Sequence, residues 1–265
     1  MQDREHKKVI YTALTGGHDN LKQPACIVPG WDYICFTDSE LPADGEQHTS
    51  GVWQLRPIPF KGGQIEKARR MKLMPHIYLP EYEYSVWMDA NLCICGEEFY
   101  EKVDALIAAE EKLAMIAHPS RDCVYDELCV CYKTKRITWR QANHHLTYLL
   151  DSRMPRHWGL YETNIVFRKH LADELIALDE AWWALFTQCS TRDQLSFTPV
   201  LRYSPLTPIL FLGQGNSARN VNYIAYSTHT AGGGPKMRKW VKWFRIALEK
   251  LLRLKIRLAE TFKHL

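Results

Sequence analysis

Short apolar runs that end in polar residues alternate with longer amphipathic segments along most of the chain. The apolar runs have the length of β-strands and cover residues 8–14, 32–38, 52–56, 85–88, 113–118 and 162–168. The segments between them have the composition and periodicity of helices, over residues 65–74, 97–112, 138–152 and 171–186. Because strands that alternate with helices form parallel sheets covered on both faces, we predict an α/β fold with a mainly parallel, Rossmann-like sheet. Residues 120–136 are polar and aromatic without a clear period, and we assign them no regular element.

Polar residues that could bind a ligand follow three of these strands. A glycine-containing turn at 15–19 follows the first strand, Asp38 ends the second, and Asp89 and Asn91 follow the strand at 85–88. In open α/β sheets ligands bind at the carboxyl ends of the strands, where a carboxylate can hold a divalent cation against a diphosphate. Asp89 would be the charged ligand and Asn91 a neutral one. The plainer alternative is that Asp89 only caps the turn after its strand.

Charge is distributed unevenly along the chain. The 265 residues carry a formal charge of +4 and are 46% hydrophobic, which is enough for one substantial core. Residues 236–265 hold ten Lys and Arg against two Glu, a net charge of +8, which leaves −4 on residues 1–235. We therefore expect one domain at 1–235 and a basic C-terminal segment at 236–265. We expect no nucleic-acid partner, because the basic charge belongs to the tail.

The cysteines and the absence of long apolar runs favour an intracellular protein. Eight cysteines occur without the usual spacing of zinc ligands, and the chain shows no apolar segment at its start. These features predict reduced thiols and a cytoplasmic location. No run approaches the roughly 20 apolar residues that a membrane span needs, so we expect a soluble or peripheral protein.

The C-terminal segment has the pattern of an amphipathic helix. One stripe is apolar, and most of the cations lie outside it; the stripe consists of Trp240, Phe244, Ala247, Leu251, Leu254, Leu258 and Phe262. An apolar face flanked by Lys and Arg is typical of helices that lie in an anionic membrane interface. This predicts a peripheral protein at the inner face of the cell membrane. The alternative is a helix docked on its own domain or on a second subunit.

Several segments together resemble a known family. These are residues 11–19, 33–38, 75–83, 87–91, 118–127 and 162–170. They resemble the glycosyltransferase-like family long catalogued as a domain of unknown function, which includes plant mucilage-related and bacterial polysaccharide-locus proteins. The resemblance implies a GT-A-like fold and nucleotide-sugar chemistry, with Asp89 as the first acid of an Asp-x-Asp motif. Asn91 replaces the usual second acid, so weaker metal binding, other ligands or metal-independent catalysis all remain open.

The layout is also similar to that of family-8 retaining glycosyltransferases. This similarity implies that Thr12, Ala13 and Asp38 line the nucleoside pocket. It implies that Arg70 contacts the diphosphate or the donor sugar. One of the four cations of this basic helix, Lys67, Arg69, Arg70 and Lys72, is expected to bind phosphate, although a solvated helix surface explains these cations equally well. The similarity further implies that His229 completes the metal shell and that Lys236 contacts the diphosphate. The glycine-rich segment 229–236 could instead be a flexible linker.

The same similarity assigns residues on the reacting side of the donor sugar. It implies that Asp193 and Gln194 are catalytic, with Asp193 orienting the acceptor or stabilising an oxocarbenium-like transition state. A helix N-cap is the structural alternative for Asp193. Sugars are bound by polar side chains and aromatic faces, and a group of such residues follows the strand at 113–118. The candidate acceptor or sugar contacts are His118, Arg121, Tyr125, Glu127, Glu162 and Asn164.

The sequence thus predicts a glycosyltransferase of GT-A type. It would move a sugar from a nucleotide-sugar donor, UDP-linked, to a glycan or lipid-linked glycan in surface polysaccharide synthesis, with Mn²⁺ or Mg²⁺ as cofactor. A nucleotide-sugar hydrolase or phosphotransferase could use the same cation site. A non-catalytic glycan-binding module is the third possibility, because Asn91 weakens the metal motif and the chain is rich in aromatic residues.

Overall fold

The computed structural model describes residues 7–17, 21–42, 47–227 and 239–261. Ten strands are present in these ranges: β1 Lys8–Leu14, β2 Asp32–Thr37, β3 Thr49–Ser50, β4 Trp53–Pro57, β5 Tyr84–Met88, β6 Leu92–Ile94, β7 Leu113–Ala117, β8 Tyr161–Arg168, β9 Ile209–Leu210 and β10 Ile224–Tyr226. Eight helices accompany them: α1 Gln64–Leu73, α2 Pro75–Tyr78, α3 Glu98–Ala108, α4 Val124–Lys133, α5 Trp139–Asp151, α6 Asp173–Cys189, α7 Asp193–Leu201 and α8 Lys239–Thr261.

The central sheet has eight strands in the order β3-β4-β2-β1-β5-β8-β7-β9. β4, β2, β1 and β5 form a parallel run, and β9 is parallel to β7. β8 lies between β5 and β7 and is antiparallel to both, while β3 is antiparallel to β4. Six of the eight strands therefore run in one direction, which confirms the predicted mainly parallel α/β sheet.

The antiparallel direction of β8 determines which residues lie at the edge where the parallel strands end. Met88 pairs with Ile165, and the Asp89 amide donates to the Asn164 carbonyl at 2.9 Å. The first residues of β8 thus lie beside the last residues of β5 and β7. Residues at the carboxyl ends of β5 and β7 and at the amino end of β8 therefore meet at one edge of the sheet.

Both faces of the sheet are covered, because the buried strands are apolar on both sides. Tyr11 and Trp87 pack with α1, α6 and α7 on one face. Ile10 and Val86 pack with α3 on the other face, in a cluster that includes Phe99. This two-sided burial explains why the strands read as continuous apolar runs rather than as alternating patterns.

One helix was not predicted, and another ends well before its predicted bound. Within 120–136, where the sequence shows no clear period, the chain forms α4, in which almost every residue from Val124 to Tyr132 is buried. A helix that is buried all round lacks the one-sided stripe that reveals a surface helix. The helix predicted at 97–112 ends earlier, at Ala108, because Glu110 adopts a left-handed backbone conformation with φ 53°.

The helix α8 is docked on its own domain. Leu252 and Ile256 are buried against α4 and α5, and Arg253 Nη1 lies 3.1 Å from Asp126 Oδ1. The stripe that the sequence singled out points away from this contact, with Trp240 66% exposed and Leu254 49% exposed. The helix therefore has two apolar faces, one that packs on the domain and one that stays open.

Among the described helices, none has the combination of length and apolarity that crossing a membrane requires.

Replacing Leu252 by Ala tests the docking of α8. The side chain is fully buried, so its truncation should lower the free energy of unfolding by about 2–4 kcal/mol, measured by urea denaturation. Leu254→Ala is the matched control and should change stability by about 0.5 kcal/mol or less, because Leu254 lies on the open face. Equal losses in the two variants would show that α8 does not pack through Leu252.

Candidate active site

A cleft of about 760 Å³ opens at the carboxyl edge of the sheet. Nine side chains singled out from the sequence line it: Ala13, Asp89, Asn91, His118, Arg121, Glu162, Asn164, Asp193 and Gln194. They come from the ends of β1, β5 and β7, from the start of β8 and from the first turn of α7. The structure therefore brings most of the expected metal, catalytic and acceptor residues to a single cavity.

The predicted nucleoside residues are divided between the cleft and its surroundings. Thr12 is buried behind Ala13, and its hydroxyl has no hydrogen-bond partner. Asp38 and Lys67 line a neighbouring depression, with Lys67 Nζ 3.8 Å from Asp38 Oδ2. The Asp38 carboxylate also accepts from the Gly16 amide at 3.0 Å, in a turn where Gly16 has φ 67°. A left-handed conformation of this kind suits glycine.

Trp87 and Lys72 contact the carboxylate of Asp89, and about a third of the Asp89 side chain is exposed. Trp87 Nε1 donates to Asp89 Oδ1 at 2.8 Å, and the ammonium of Lys72 lies 3.6 Å from the same oxygen. The Leu92 amide donates to the Asp89 carbonyl at 2.9 Å, which closes the turn between β5 and β6. Asp89 thus shapes this turn through its backbone while its carboxylate faces the cavity.

Asn91 connects the turn after β5 to the residue that follows β10, Ser227. Its side-chain amide donates to the Ser227 carbonyl at 3.1 Å. The Ser227 amide and hydroxyl both donate to the Asn91 carbonyl at 3.0 Å. The amide nitrogen of Asn91 is therefore engaged, and its amide oxygen is the atom that it can offer to a ligand.

A buried carboxylate links the two sides of the cleft. Asp193 is 2% exposed and bonds to Lys72 Nζ at 2.5 Å and to Thr163 Oγ1 at 2.9 Å. Arg69 Nε lies 3.2 Å from its other oxygen. Burial alone would raise the pKa of Asp193, but Arg69, Lys72 and Arg192 outweigh burial and hold that pKa well below its usual value. Asp193 is the first residue of α7, and its side chain makes this network instead of an N-cap.

A second buried ion pair supports Lys72 from the opposite side. Arg168 and Asp179 are both buried, with Arg168 Nε 3.2 Å from Asp179 Oδ1. Arg168 also donates to the Tyr11 hydroxyl and to the Lys72 carbonyl, each at 3.2 Å. Burial raises the pKa of Asp179 to about 7, although Arg168 opposes this shift. These contacts fix α1 against β1, β8 and α6, and so they fix the two α1 cations at the cleft.

Arg70, expected at the diphosphate, does not reach the cleft. Its guanidinium lies over the rings of Phe60 and Trp183, 5.5 and 4.9 Å from their centroids, and its Nε donates to the Tyr78 hydroxyl. The neighbouring Arg69 lines the cleft instead. The composition of residues 65–74 predicted this helix, and the phase of the helix decides which of its cations faces the cavity.

Tyr125 and Glu127 also take positions other than those expected. The ring of Tyr125 is buried, and its hydroxyl donates to the carbonyls of Leu149 and Met154, so Tyr125 is not a cleft residue. Glu127 is fully buried behind the cleft, where Oε2 accepts from Arg121 Nε at 2.7 Å. Tyr125 thus packs α4, and Glu127 holds a cleft residue without lining the cavity.

His118 is a neutral side chain at the floor of the cleft. Its Nδ1 accepts from the backbone amides of Ser120 and Arg121 at 3.2 and 3.0 Å. Burial and the nearby Arg121 lower the pKa of His118 to about 4, although Glu127 opposes the shift. At neutral pH this histidine carries no charge and orders the turn after β7.

Sequence reasoning missed several arginines that line the cleft. These are Arg136, Arg192 and Arg219. Arg136 follows α4, and Arg219 lies in the loop before β10, where Nη1 donates to Glu162 Oε1 at 2.6 Å. No strand end or motif marks these positions, so only the fold brings them together. Arg192 could have been noticed, since it precedes the Asp193-Gln194 pair.

The remaining candidates lie outside the cleft or outside the described ranges. His229 and Lys236 fall between residues 227 and 239, which the structure does not describe. Within the described residues, Cys123, Asp126 and His157 form a group whose ligand atoms lie close enough to hold a metal ion. Asp126 is paired there with Arg156 and Arg253, so two cations already compete for its charge.

The comparison with protein families identifies the chain. Residues 2–208 match the family described as TOD1/MUCI70, glycosyltransferase-like domain. The chain belongs to this family. The match confirms the resemblance drawn from the motifs between residues 11 and 170, and it identifies a glycosyltransferase-type protein.

Comparisons with individual proteins are weaker than the family match. No curated protein matches the chain. Among solved structures, the chain is similar to the apo form of the bifunctional glycosyltransferase WbbM, with a TM-score of 0.43 and 8% identity, over 76% of this chain and 38% of that one. It is also similar to apo mouse xyloside xylosyltransferase 1, with a TM-score of 0.39 and 8% identity, over 76% and 82% of the two chains. The chain therefore spans well under half the length of WbbM.

Replacing Asp193 by Asn tests the buried network of this family member. The change leaves Lys72 and Arg69 without their shared carboxylate and should cost about 3 kcal/mol of unfolding free energy at pH 7. Because the folded-state pKa of Asp193 is depressed, its contribution is present above the unfolded pKa of about 3.9 and is lost as the pH falls further. The difference between wild type and variant, measured by urea denaturation, should therefore shrink in acid.

Asp173→Asn provides the matched control for Asp193→Asn. Asp173 is also the first residue of a helix, α6, but it is exposed. Its replacement should cost about 0.5 kcal/mol, the size of a helix-dipole contact. If the two variants lose the same stability at pH 7, Asp193 does not anchor the buried cations.

Proposed function

We propose that the protein transfers a sugar from a UDP-linked donor to a glycan or lipid-linked glycan acceptor in surface polysaccharide synthesis. The observation that carries this proposal is the shared cleft, which Asp89 and Gln194 line together with four of the six candidate acceptor residues: His118, Arg121, Glu162 and Asn164. Membership of a glycosyltransferase-like family supports the same chemistry. In this proposal the domain is of the GT-A type.

The oxygen ligands at the cleft suit a hard divalent cation. Asp89 offers a carboxylate and Asn91 an amide oxygen, which are ligands that Mn²⁺ and Mg²⁺ accept. A cation held by these two residues would neutralise the charge that develops on the leaving diphosphate. The Lys72 ammonium, 3.6 Å from Asp89, competes for the same carboxylate and would weaken this binding. By the family-8 similarity, His229 is a further candidate ligand and Lys236 a further diphosphate contact.

The protein's own residues can be assigned roles around the donor. Ala13 lets the donor lie close to the end of β1, with Thr12 behind it and with Asp38 and Lys67 at the nucleoside side. The guanidinium of Arg69 supplies a fixed positive charge for the diphosphate. Since Lys72 and Thr163 engage the Asp193 carboxylate, we assign Asp193 a positioning role and give the direct sugar contact to Gln194.

Acceptor hydroxyls would be bound on the other side of the cleft. Two oxygen atoms there are buried and lack a hydrogen-bond partner: Glu162 Oε2 and Asn164 Oδ1. A buried acceptor atom without a donor is costly unless a ligand supplies one. A sugar hydroxyl is a suitable donor for both atoms. These two positions at the start of β8 therefore support acceptor binding opposite Asp89.

The open face of α8 supports attachment to an anionic membrane at its cytoplasmic side. Trp240 and Trp243 are 66% and 71% exposed, and the exposed cations Lys250 and Arg257 lie along one flank of this face. Tryptophan and apolar residues enter the interface, and the flanking cations face the phosphates. Such attachment would bring the cleft close to a lipid-linked acceptor.

Stabilisation by nucleotides tests the transferase proposal. UDP with Mn²⁺ at about 100 times its dissociation constant should add about 2.7 kcal/mol to the stability of the folded state, measured as a rise in thermal midpoint, with GDP and CMP as comparisons. Asp89→Ala should remove the part of the shift that depends on Mn²⁺. Asp151→Asn, at the exposed end of α5, is the control. Normal sugar transfer by Asp89→Ala would contradict the assignment of Asp89 to the site. Turnover of the nucleotide sugar without an acceptor would favour a hydrolase.

Vesicle binding tests the role of α8. The protein should sediment with vesicles that contain phosphatidylglycerol and much less with pure phosphatidylcholine. Replacing Trp240 and Trp243 by Ala should weaken this binding at least about tenfold, because each buried indole contributes a few kcal/mol. Trp158→Ala removes another exposed tryptophan and is the control. Unchanged binding by the double variant would mean that the open face does not contact lipid.

A further inference from the structure

We propose that the acceptor side of the cleft is a binding site for an anionic sugar, one that carries a carboxylate or a phosphate. The site consists of Arg121, Arg136 and Arg219, which converge around the end of β7 and the start of β8. This inference rests on the proposed function, because it specifies the chemical class of the acceptor.

Charge is the first observation that supports an anionic ligand. Among the described residues that line the cleft or lie directly behind it, six are cationic and four are acidic. The cations are Arg69, Lys72, Arg121, Arg136, Arg192 and Arg219, and the acids are Asp89, Glu127, Glu162 and Asp193. A cavity with more arginines than carboxylates attracts anions, and the guanidinium group matches carboxylate and phosphate geometry.

The excess positive charge is greatest on the acceptor side. Arg121 and Arg136 depend on a single carboxylate, that of Glu127, at 2.7 and 3.9 Å. Glu127 also accepts from the Cys131 thiol at 3.2 Å. Because Arg136 lies 3.9 Å from Glu127, it is weakly paired, and about half of its side chain is exposed. A ligand carboxylate or phosphate at Arg136 would complete a pairing that Glu127 does not satisfy.

The topology separates this cluster from the donor. β7 lies two strand positions from β5, with β8 between them, which corresponds to roughly 10 Å along the edge of the sheet. Arg121 follows β7, whereas Asp89 follows β5 and Ala13 ends β1. A diphosphate bound at Asp89 and Arg69 would therefore lie across β8 from Arg121, whose partner Glu127 is also the partner of Arg136. The arginine cluster is left for the other substrate.

The acceptor side also carries two buried oxygen atoms without hydrogen-bond partners next to the arginines. Arg219 contacts only one oxygen of Glu162, at 2.6 Å, and the other oxygen is buried without a partner. Asn164 Oδ1 is likewise buried without a hydrogen-bond partner. Oxygen atoms that can accept hydrogen bonds from sugar hydroxyls thus lie beside guanidinium groups that can pair with an anion. A sugar with one ionised substituent would use both. The two observations, unpaired oxygens and weakly paired arginine, point to the same ligand class.

Calorimetric titration of the full chain with matched ligands tests this site. The ligands are a disaccharide ending in glucuronate, the methyl ester of that disaccharide, and glucose 6-phosphate. The glucuronate compound should bind at least about tenfold more tightly than its ester, because only the acid can pair with the arginines. The comparison of glucuronate with the phosphate shows which anion the site prefers, and tight binding of either supports the proposal. Equal binding of all three ligands, or binding of none, overturns it.

Arg136→Gln tests the residue assignment. Arg136 is exposed at the rim of the cleft, so the variant should fold normally, and it should bind the preferred anion about fivefold to tenfold more weakly while binding the ester as before. Arg140→Gln, at an exposed position on α5 away from the cleft, should bind both ligands like the wild type. Equal behaviour of the two variants overturns the assignment.

Titration with UDP separates this proposal from the proposed function. If UDP fails to stabilise the protein but the anionic sugar binds in an Arg136-dependent way, the transferase proposal fails and the anion site stands. If UDP binds and Arg136→Gln weakens it as strongly as it weakens the sugar, the arginine belongs to the donor diphosphate and the acceptor inference is overturned.

Discussion

The arrangement of the cleft depends on the buried carboxylate of Asp193. Lys72 and Arg69 bring two positive charges into a region that water reaches poorly, and such charges are stable only beside a counter-ion. Asp193 supplies it, and Thr163 joins the same group by a hydrogen bond. The carboxylate thereby ties α1, β8 and α7 together.

Sheet topology supplies the second constraint. Because β8 runs antiparallel between β5 and β7, its first residues lie at the edge where the parallel strands end. Asp89 and Asn164 become neighbours across this junction through the backbone hydrogen bond between them. The cleft therefore has one side near β1 and β5, where we propose that the donor binds, and another near β8 and β7, where we propose that the acceptor binds. A fully parallel sheet of the same strands would carry Glu162 and Asn164 to the opposite edge.

Features that depend on local sequence were predictable, and features that depend on packing were not. The strand before Asp89 and the turn at Gly16 follow from apolar runs and their polar ends. The sequence did not show that Arg69 rather than Arg70 faces the cleft, because this depends on the rotation of α1 about its axis. Phe60 and Trp183 favour the observed rotation by contacting Arg70. α4 was not recognised because it is buried all round.

The C-terminal helix illustrates the same limit. The stripe that contains Trp240 and Leu254 was visible in the sequence, and it is the face that stays open. The docked face is narrower and mixes Leu252 and Ile256 with Glu249 and Arg253. These two charged residues pair with each other, and Arg253 also pairs with Asp126 of α4. A face that combines apolar and charged residues gives little periodic signal, although it forms the real interface. Docking and membrane contact were alternatives in the sequence; the structure shows docking on one side of the helix, and membrane contact of the other side is a proposal.

The most direct test of the account is a crystal structure with UDP and Mn²⁺, in which the anomalous signal locates the metal. The account predicts a manganese peak at about 2.0–2.2 Å from an oxygen of Asp89, typical of small hard cations, with the diphosphate towards Arg69. A peak at Cys123, Asp126 and His157 instead, or UDP bound away from Asp89, would contradict it.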